Sequence, residues 1–198
     1  MGIHLPFNLQ KTTQALNFFA IASGGSINKM EAIKLLFFSD RYHLRKYGRS
    51  ITNDEYYAME YGPVPSNGKD IEEHSDFLAQ SEKDYVKQFI RRCSQYDYES
   101  INPVDKDVLS ESDVEALEFA WSKFQVFDQF QLADLTHDYP EWRKHENQIT
   151  DRSSRIPMDY EDFFLDPIND DYFQIDEQIK QSSLASLKEL SEIEKLWK

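Results

Sequence analysis

The stretch from Asn28 to Gly48 constrains the fold of this chain more than any other. Apolar side chains recur along it at spacings of three and four, the period of one face of an α-helix. Asn28 and Glu31 have the spacing of a capping box at a helix start, and Gly48 supplies a stop. The pattern predicts a helix at the centre of the core, with one carboxylate inside its apolar face. That face consists of Met30, Ile33, Phe37, Asp40, Leu44 and Tyr47.

A second face of the same helix is basic and carries Lys34, Arg41 and Arg45. A nucleic-acid recognition helix would expose such residues to a groove. The chain, however, has a formal net charge of −14, which disfavours binding to phosphate backbones and to anionic membranes. We therefore expect these cations to meet either the chain's own carboxylates or a carboxylate-rich partner, and the acidic total suits a basic partner protein.

Composition predicts a folded protein of a reducing compartment. The 198 residues include 40% hydrophobic and 14% aromatic side chains, enough to bury a core. Cys93 is the single cysteine and cannot form an intramolecular disulfide. No apolar run approaches the roughly 20 residues of a membrane span, and the first residues lack a signal-peptide pattern. We expect a cytoplasmic protein.

Several shorter patterns predict β-strands and loops. "EYYAMEY" (55–61), "YVKQFIRRC" (85–93) and "YDYESI" (96–101) have strand-like composition and suggest a small antiparallel sheet. "GPVPSNG" (62–68) is predicted to be a loop, because its two prolines fix φ and withhold two N–H donors. Ser66 or Asn67 then caps a short helix that continues to about Phe77.

Further helices are predicted on both sides of this region. Thr12 would cap a helix over 13–23, Ser112 with Glu115 another, and a short one spans 129–136 before Pro140 ends it. A last helical face contains Leu184, Leu187, Leu190, Ile193 and Trp197. The predicted fold class is a mainly helical α+β domain with a small antiparallel β-sheet and a C-terminal helical extension.

No pattern of catalytic or metal-binding residues is found. The five histidines are not spaced as metal ligands, so no metal or cofactor is predicted. Cys93 has no histidine near it in sequence, and neither a GxSxG motif nor a phosphate loop occurs. Asp40 and His43 could touch on the helix, either as an acid–base couple or as a polar pair at a seam. The sequence does not predict an enzyme.

Two long motifs nevertheless resemble one known family. "KLLFFSDRYHLRKYGRSITNDEYYAMEYGPVPS" (34–66) resembles the signature of the Panacea domain, also called SocA-like, and "LSESDVEALEFAWSKFQVFDQFQLADLTHDYPEW" (109–142) resembles its second hallmark. The resemblance covers about residues 12–145. It implies an antitoxin without enzymatic activity or cofactor, encoded beside a toxin, often in a prophage, which it neutralises by direct protein–protein binding. One member is an adaptor that delivers its toxin to a protease.

The resemblance also implies that the motif residues form a scaffold. Asp40 would be a buried acceptor held by backbone amides or by an arginine, the GPVP turn would fix the exit of a strand, and Thr136 with His137 would tie the last motif helix to the second helix. The implied structural motif comprises Asp40, Arg41, Tyr42, Leu44, Gly48, Gly62, Pro63, Val64, Pro65, Ser66, Thr136, His137 and Trp142.

The acidic-aromatic segment, residues 159–177, contains no lysine or arginine. We divide the chain into a domain over 1–147 and this segment with the C-terminal helix over 148–198. The segment either supplies part of the contact with a basic toxin or wraps around the chain's own basic helix. The candidate partner-binding residues are Tyr160, Glu161, Phe163, Phe164, Asp170, Asp171, Tyr172 and Phe173. A protease, a second copy of the chain and the chain's own operon are further partners that the sequence leaves open.

Overall fold

The computed structural model describes residues 5–151, 153–168 and 172–196 and has the predicted mainly helical α+β fold. The helices are α1 (Leu9–Ala22), α2 (Lys29–Tyr47), α3 (Ser66–Glu73), α4 (Gln80–Phe89), α5 (Glu111–Phe124), α6 (Gln129–Thr136), α7 (Pro140–Arg143) and α8 (Glu177–Leu196). The strands are β1 (Ser26–Asn28), β2 (Tyr56–Met59), β3 (Gly62–Pro65), β4 (Ile90–Arg92), β5 (Asp97–Ser100) and β6 (Ile156–Pro157). None of the described helices has the combination of length and apolar content that a bilayer crossing requires.

Helix α2 is the central element, and both of its predicted ends are confirmed. The Asn28 side chain accepts a hydrogen bond from the N–H of Met30 at 3.0 Å, and Gly48 ends the helix in the left-handed conformation with φ of 68°. A Cβ at position 48 would also lie 2.5 Å from the carbonyl oxygen of Ser183 in α8. Glycine is therefore needed at this position both for the helix stop and for the close approach of α8.

The described strands form two three-stranded antiparallel sheets, where the sequence predicted one. The first has the order β1-β5-β4, with Ile27 opposite Tyr98. The second has the order β3-β2-β6, with Tyr57 between Val64 and Pro157. Because β6 completes a sheet that begins in the first motif, the regions before and after residue 147 share this sheet. The division of the chain at that residue stays a prediction.

Three helix starts differ from the prediction. Helix α3 begins at Ser66, follows Pro65 without a side-chain cap from Ser66 or Asn67, and ends at Glu73, before Phe77. Helix α1 begins at Leu9, where the Asn8 side chain accepts from the N–H of Lys11 at 3.0 Å. The predicted cap, Thr12, lies inside the helix and donates its hydroxyl to the carbonyl of Asn8 at 2.8 Å. Such bonds to the preceding turn let threonine sit in a helix interior, and spacing alone does not reveal them. Helix α5 is capped by Ser110, whose N–H donates to Asp113 at 2.9 Å, and not by Ser112 with Glu115.

Two other local predictions are wrong because tertiary contacts override local composition. The GPVP stretch is strand β3 and not a loop. Residues 85–89 belong to α4, and only the last part of the predicted strand, Ile90–Arg92, is extended. Helix α6 ends at Thr136, as predicted, and Pro140 stands further on, at the first position of α7, where a missing N–H costs nothing.

The core is built from aromatic rings on both sides of α2. Phe38 stacks on Phe124 with 4.0 Å between ring centroids, and Phe173 lies 5.9 Å from Phe124 and 5.5 Å from Tyr139. Phe163 is fully buried against Phe37 at 5.6 Å. Rings of the acidic-aromatic segment therefore belong to the same core as the rings of the two motifs.

Two arginines of α2 hold the backbone of this segment. The Arg41 guanidinium donates to the carbonyl of Leu165 at 2.9 Å, and that of Arg45 donates to the carbonyls of Phe163 and Leu165 at 3.1 Å. Arg45 also pairs with Asp166. The basic face of α2 thus meets the chain's own acidic segment, which was one of the two expected outcomes.

A buried carboxylate at the start of α5 joins three helices. Asp113 pairs with Lys11 of α1 at 2.5 Å, lies 3.3 Å from the ring of His43 in α2, and pairs with Arg49 at 3.2 Å. Burial alone would raise the pKa of Asp113, but hydrogen bonds from His43, Lys11 and Ser110 outweigh it and hold the pKa far below its usual range. The ionised carboxylate is therefore stabilised by the fold.

Phe173→Ala tests whether the C-terminal segment belongs to the core. Removing a ring that is only 2% exposed leaves a cavity among Phe38, Phe124 and Tyr139, so the free energy of unfolding should fall by about 3–5 kcal/mol. Chemical denaturation measures the change. Ile168→Ala, at a site that is 87% exposed, is the control and should have little effect. A loss below about 1 kcal/mol for Phe173→Ala would contradict the packing described.

Asp113→Asn tests the three-helix junction through pH. The folded-state pKa of Asp113 is depressed, so its stabilisation is present above its ordinary pKa and is lost as pH falls through the acid range. At pH 7 the variant should be less stable than the parent by about 2 kcal/mol. This difference should shrink steadily between about pH 5 and pH 2. Urea titrations at several pH values measure it, and a difference that stays constant over that range would rule out the ion pairs as its source.

Candidate functional site

Asp40, the carboxylate in the apolar face of α2, is fully buried and fully bonded. Its Oδ1 accepts from the N–H of Ile51 at 2.8 Å and of Thr52 at 3.3 Å, and its Oδ2 accepts from the Thr52 hydroxyl and from the Tyr56 hydroxyl at 2.9 Å. Burial raises the pKa of Asp40, and these hydrogen bonds oppose the shift. The sequence left open whether backbone amides or an arginine would hold Asp40. In the structure, backbone amides and hydroxyls hold it, and no arginine does so among the described residues. His43 bonds to the carbonyl of Arg49 at 2.7 Å and approaches Asp113, so it forms no acid–base couple with Asp40.

The other α2 residues of the motif also serve packing. Arg41 is fully buried, pairs with Glu141 at 2.8 Å and lies over the ring of Tyr139 at 4.5 Å. The Tyr42 hydroxyl donates to Glu115 at 2.6 Å, and Leu44 is fully buried. These contacts fasten α2 to α5 and α7.

The hairpin of β2 and β3 is fixed from both sides. Gly62 has φ of +90°, and a Cβ there would lie 2.1 Å from the Thr136 hydroxyl and 3.0 Å from the Lys34 ammonium. Lys34 donates to the carbonyl of Pro63 at 2.8 Å. Pro63 and Pro65 are both buried, whereas Val64 between them is half-buried. The motif glycine is thus required by the turn and by the close approach of α6.

The second hallmark reaches the same hairpin. Thr136 donates its hydroxyl to the carbonyl of Ala133 at 2.6 Å and packs against Gly62. The His137 ring stacks on Trp142 with 3.8 Å between centroids, and the Trp142 indole donates to the carbonyl of Met59 at 2.9 Å. The expected connection between α6 and α2 is therefore indirect. Thr136 of α6 packs against Gly62 of the hairpin, and Lys34 of α2 donates to the carbonyl of Pro63 in the same hairpin.

Four of the six described candidate partner-binding residues lie inside the molecule. Tyr160, Phe163, Phe164 and Phe173 are buried in the core, so they cannot anchor a partner while the segment is packed as described. Glu161 is exposed and pairs with Lys188 at 2.9 Å, and Tyr172 is 36% exposed. Two of the candidates, together with the predicted last member of the α8 face, lie outside the described residues: Asp170, Asp171 and Trp197. A toxin contact at the exposed positions stays a prediction.

A groove of about 1170 Å³ is lined in part by the hairpin of β2 and β3. Its walls come from the start of α2, from β3, α3 and the β4–β5 turn, and from the start of α6. Three exposed rings form its rim: Tyr61, Tyr96 and Phe130. The floor contains two buried ionisable groups, Lys34 and Glu72. We call this feature the groove.

The two floor groups have unusual surroundings. Burial lowers the pKa of Lys34 to about 7, and the charge of Glu72 partly opposes the shift. Burial also raises the pKa of Glu72 well above its usual range, against the effect of Lys29 and other nearby charges. Glu72 is only 2% exposed, yet its Oε2 has no hydrogen-bond partner among the described residues. Buried polar atoms without partners are rare and costly in folded proteins.

The comparisons with known proteins give one match. The family model described as "Antitoxin SocA-like, Panacea domain" matches residues 33–143, more than half of the chain. The chain belongs to this antitoxin family. The search of curated proteins and the search of solved structures each found no match.

The Panacea match extends from the first turns of α2 to the end of α7. It therefore includes the Asp40 site, the hairpin, and most of the groove, from Ile33 to Phe130. It leaves out α1 and the residues that form β6 and α8, although these pack against the matched part.

Sequence patterns missed three residues that matter in the Panacea domain. Asp54 caps α3 from a distance, accepting from the N–H of Asn67 at 2.9 Å and of Gly68 at 2.7 Å. Asp113 joins three helices, and Glu72 lies buried in the groove. Their partners or surroundings come from other elements, so no local spacing identifies them.

Asp40→Ala tests the scaffold role of the Panacea motif. The substitution leaves two N–H groups and two hydroxyls without their acceptor, so the free energy of unfolding should fall by about 2–4 kcal/mol. Denaturation of the variant beside Asp134→Ala, an exposed control on α6, measures the effect. If melting is unchanged while partner binding disappears, Asp40 is a contact residue and the structural interpretation is wrong.

Proposed function

We propose that this chain is an antitoxin that neutralises a cognate protein toxin by direct, stoichiometric binding. The observation that carries the proposal is the match of the SocA-like antitoxin family over residues 33–143. The pair would act in the cytoplasm and be encoded together, on a prophage or another mobile element.

The use of the motif side chains supports a binding function. Two polar residues of α2 make internal contacts. Asp40 accepts hydrogen bonds from Ile51, Thr52 and Tyr56. Arg41 pairs with Glu141. Groups that are bonded in this way hold a surface in shape instead of reacting with a substrate. A protein of this kind acts through the shape and chemistry of its exterior, and we propose no enzymatic activity for it.

Charge supports a protein as the partner more than a nucleic acid. Lys34, Arg41 and Arg45 are buried in the structure, so the basic face that they form on α2 is not offered to a phosphate backbone. The net charge of −14 repels nucleic acid and accelerates encounter with a basic protein. Many translation-blocking toxins must approach RNA with positive surfaces, and such a toxin would suit this chain.

Co-expression with the product of the neighbouring open reading frame tests the proposal. Induction of that product alone should arrest growth, and induction of both should restore it. The two purified proteins should form a complex of defined stoichiometry in size-exclusion chromatography. Growth protection without any complex would contradict direct binding.

Two further experiments distinguish neutralisation by binding from delivery to a protease and from regulation of the operon. Protection that disappears in a host lacking the responsible protease would show an adaptor that delivers the toxin for degradation. A salt-dependent shift of operon DNA at physiological ionic strength would show a nucleic-acid-binding regulator. Protection in the protease-deficient host without DNA binding is the result that we expect.

A further inference from the structure

The rim of the groove exposes three aromatic rings. Tyr96 is 64% exposed, Phe130 is 55% exposed and Tyr61 is 42% exposed. These rings belong to separate elements, the β4–β5 turn, the start of α6 and the β2–β3 turn, and they meet around one cavity. Tyrosine and phenylalanine are enriched in protein interfaces because they bury a large area at a small entropic cost. The rim has the composition of an interface.

The floor of the groove has unused hydrogen-bonding capacity. Among the described residues, neither Glu72 Oε2 nor His74 Nε2 has a hydrogen-bond partner, and both atoms are buried. The Lys34 ammonium donates to Pro63 alone among the described residues, so two of its three donors are unused. The floor therefore offers both acceptors and donors to a molecule that enters.

His74 adds a conformational cost at the same place. It ends α3 in the left-handed conformation with φ of 51°, a position that glycine occupies at lower cost. Its ring lines the groove as a result.

The groove is nearly neutral although the protein is strongly acidic. Among the described residues that line it, four basic side chains are matched by five acidic ones. Several of these charges are already paired at the surface, as Lys69 is with Glu73 at 2.7 Å. A lysine or arginine from a partner would approach Glu72 within reach of Lys29, Lys34 and Lys69, all of which act on that carboxyl. Neutral groups fit this site better than cations.

Addition of a β-strand to the hairpin is a poorer alternative. The outer strand β3 contains two prolines, Pro63 and Pro65, which have no N–H to donate. The carbonyl of Pro63 is already bonded to Lys34. A partner in the groove must therefore be held by its side chains and by the floor groups.

We propose that the groove is the toxin-docking site, and that it takes an apolar or aromatic segment of the toxin whose neutral amide or hydroxyl groups bond to Glu72 and Lys34. The inference rests on the antitoxin function proposed above. The overall negative charge would then steer a basic toxin towards the chain, while the contact itself is apolar and neutral.

The rim is tested with four charge-adding variants of the full chain. Tyr96→Arg and Phe130→Arg alter the rim, whereas Phe77→Arg and Ile168→Arg place the same charge at sites that are 90% and 87% exposed and do not line the groove. All four positions are solvent-exposed, so the melting temperatures should match that of the parent. Affinity is measured by calorimetry against the product of the neighbouring open reading frame, and growth protection is scored in parallel.

The rim variants should bind at least about tenfold more weakly and lose protection, while the controls stay within about twofold of the parent. If the parent binds and both rim variants bind equally well, the groove is not the docking site and the antitoxin function stands. If Ile168→Arg is the variant that weakens binding, the acidic-aromatic segment is the contact instead. If the parent itself neither binds nor protects, the proposed function fails and this inference fails with it.

Glu72→Met tests the chemistry of the floor. Glu72 Oε2 is buried and has no hydrogen-bond partner among the described residues, so replacing the side chain by an apolar one of similar length removes a cost to folding and the melting temperature should rise. The same change removes the acceptor for the toxin, so affinity should fall by about tenfold or more. Changes of opposite sign in stability and affinity are not expected of a residue with a structural role only. A variant that is more stable and binds as well as the parent would contradict the assignment of Glu72.

Discussion

The structure depends on a helix that is buried with its polar side chains inside. Burial of Asp40, Arg41 and Arg45 in α2 would be prohibitive without partners, and each of them finds some of those partners in main-chain groups of distant segments. Asp40 receives the N–H groups of the turn that follows α2, and the two arginines donate to carbonyls between β6 and α8. One helix therefore sets the path of chain segments that are distant in sequence.

In this arrangement the residues of the family motif and the residues of the exposed surface are largely different ones. The motif residues that are most distinctive in sequence are mostly internal, whereas the rim of the groove is made by residues such as Tyr96 and Phe130 with no notable local pattern. The internal position of the motif residues explains why the search for catalytic residues singled out Asp40 and His43, which are polar for structural reasons.

Sequence patterns predicted those parts of the fold that local spacing determines. The ends of α2, the extent of α6 and the position of β2 follow from caps, periodicity and β-branched or aromatic composition. The character of residues 85–89 and of the GPVP stretch did not follow, because packing against distant elements decides between helix, strand and loop. The first helix began earlier than expected because threonines can bond within a helix.

The groove could not be found from sequence, since its walls come from five separate parts of the chain. The burial of Phe163 and Phe173 could not be predicted from sequence either. Acidic residues that alternate with aromatic ones are typical both of a partner-binding surface and of a segment that packs against its own domain.

We propose that the scaffold around α2 holds the groove in a shape that binds a toxin. Hydrogen–deuterium exchange of the full chain, free and bound to the product of the neighbouring open reading frame, tests this most directly. We expect added protection in α3, in the β4–β5 turn and at the starts of α2 and α6, with exchange in the rest of α2 and in the described residues of the acidic-aromatic segment unchanged. Protection confined to that segment, or loss of protection in α2 on binding, would contradict it.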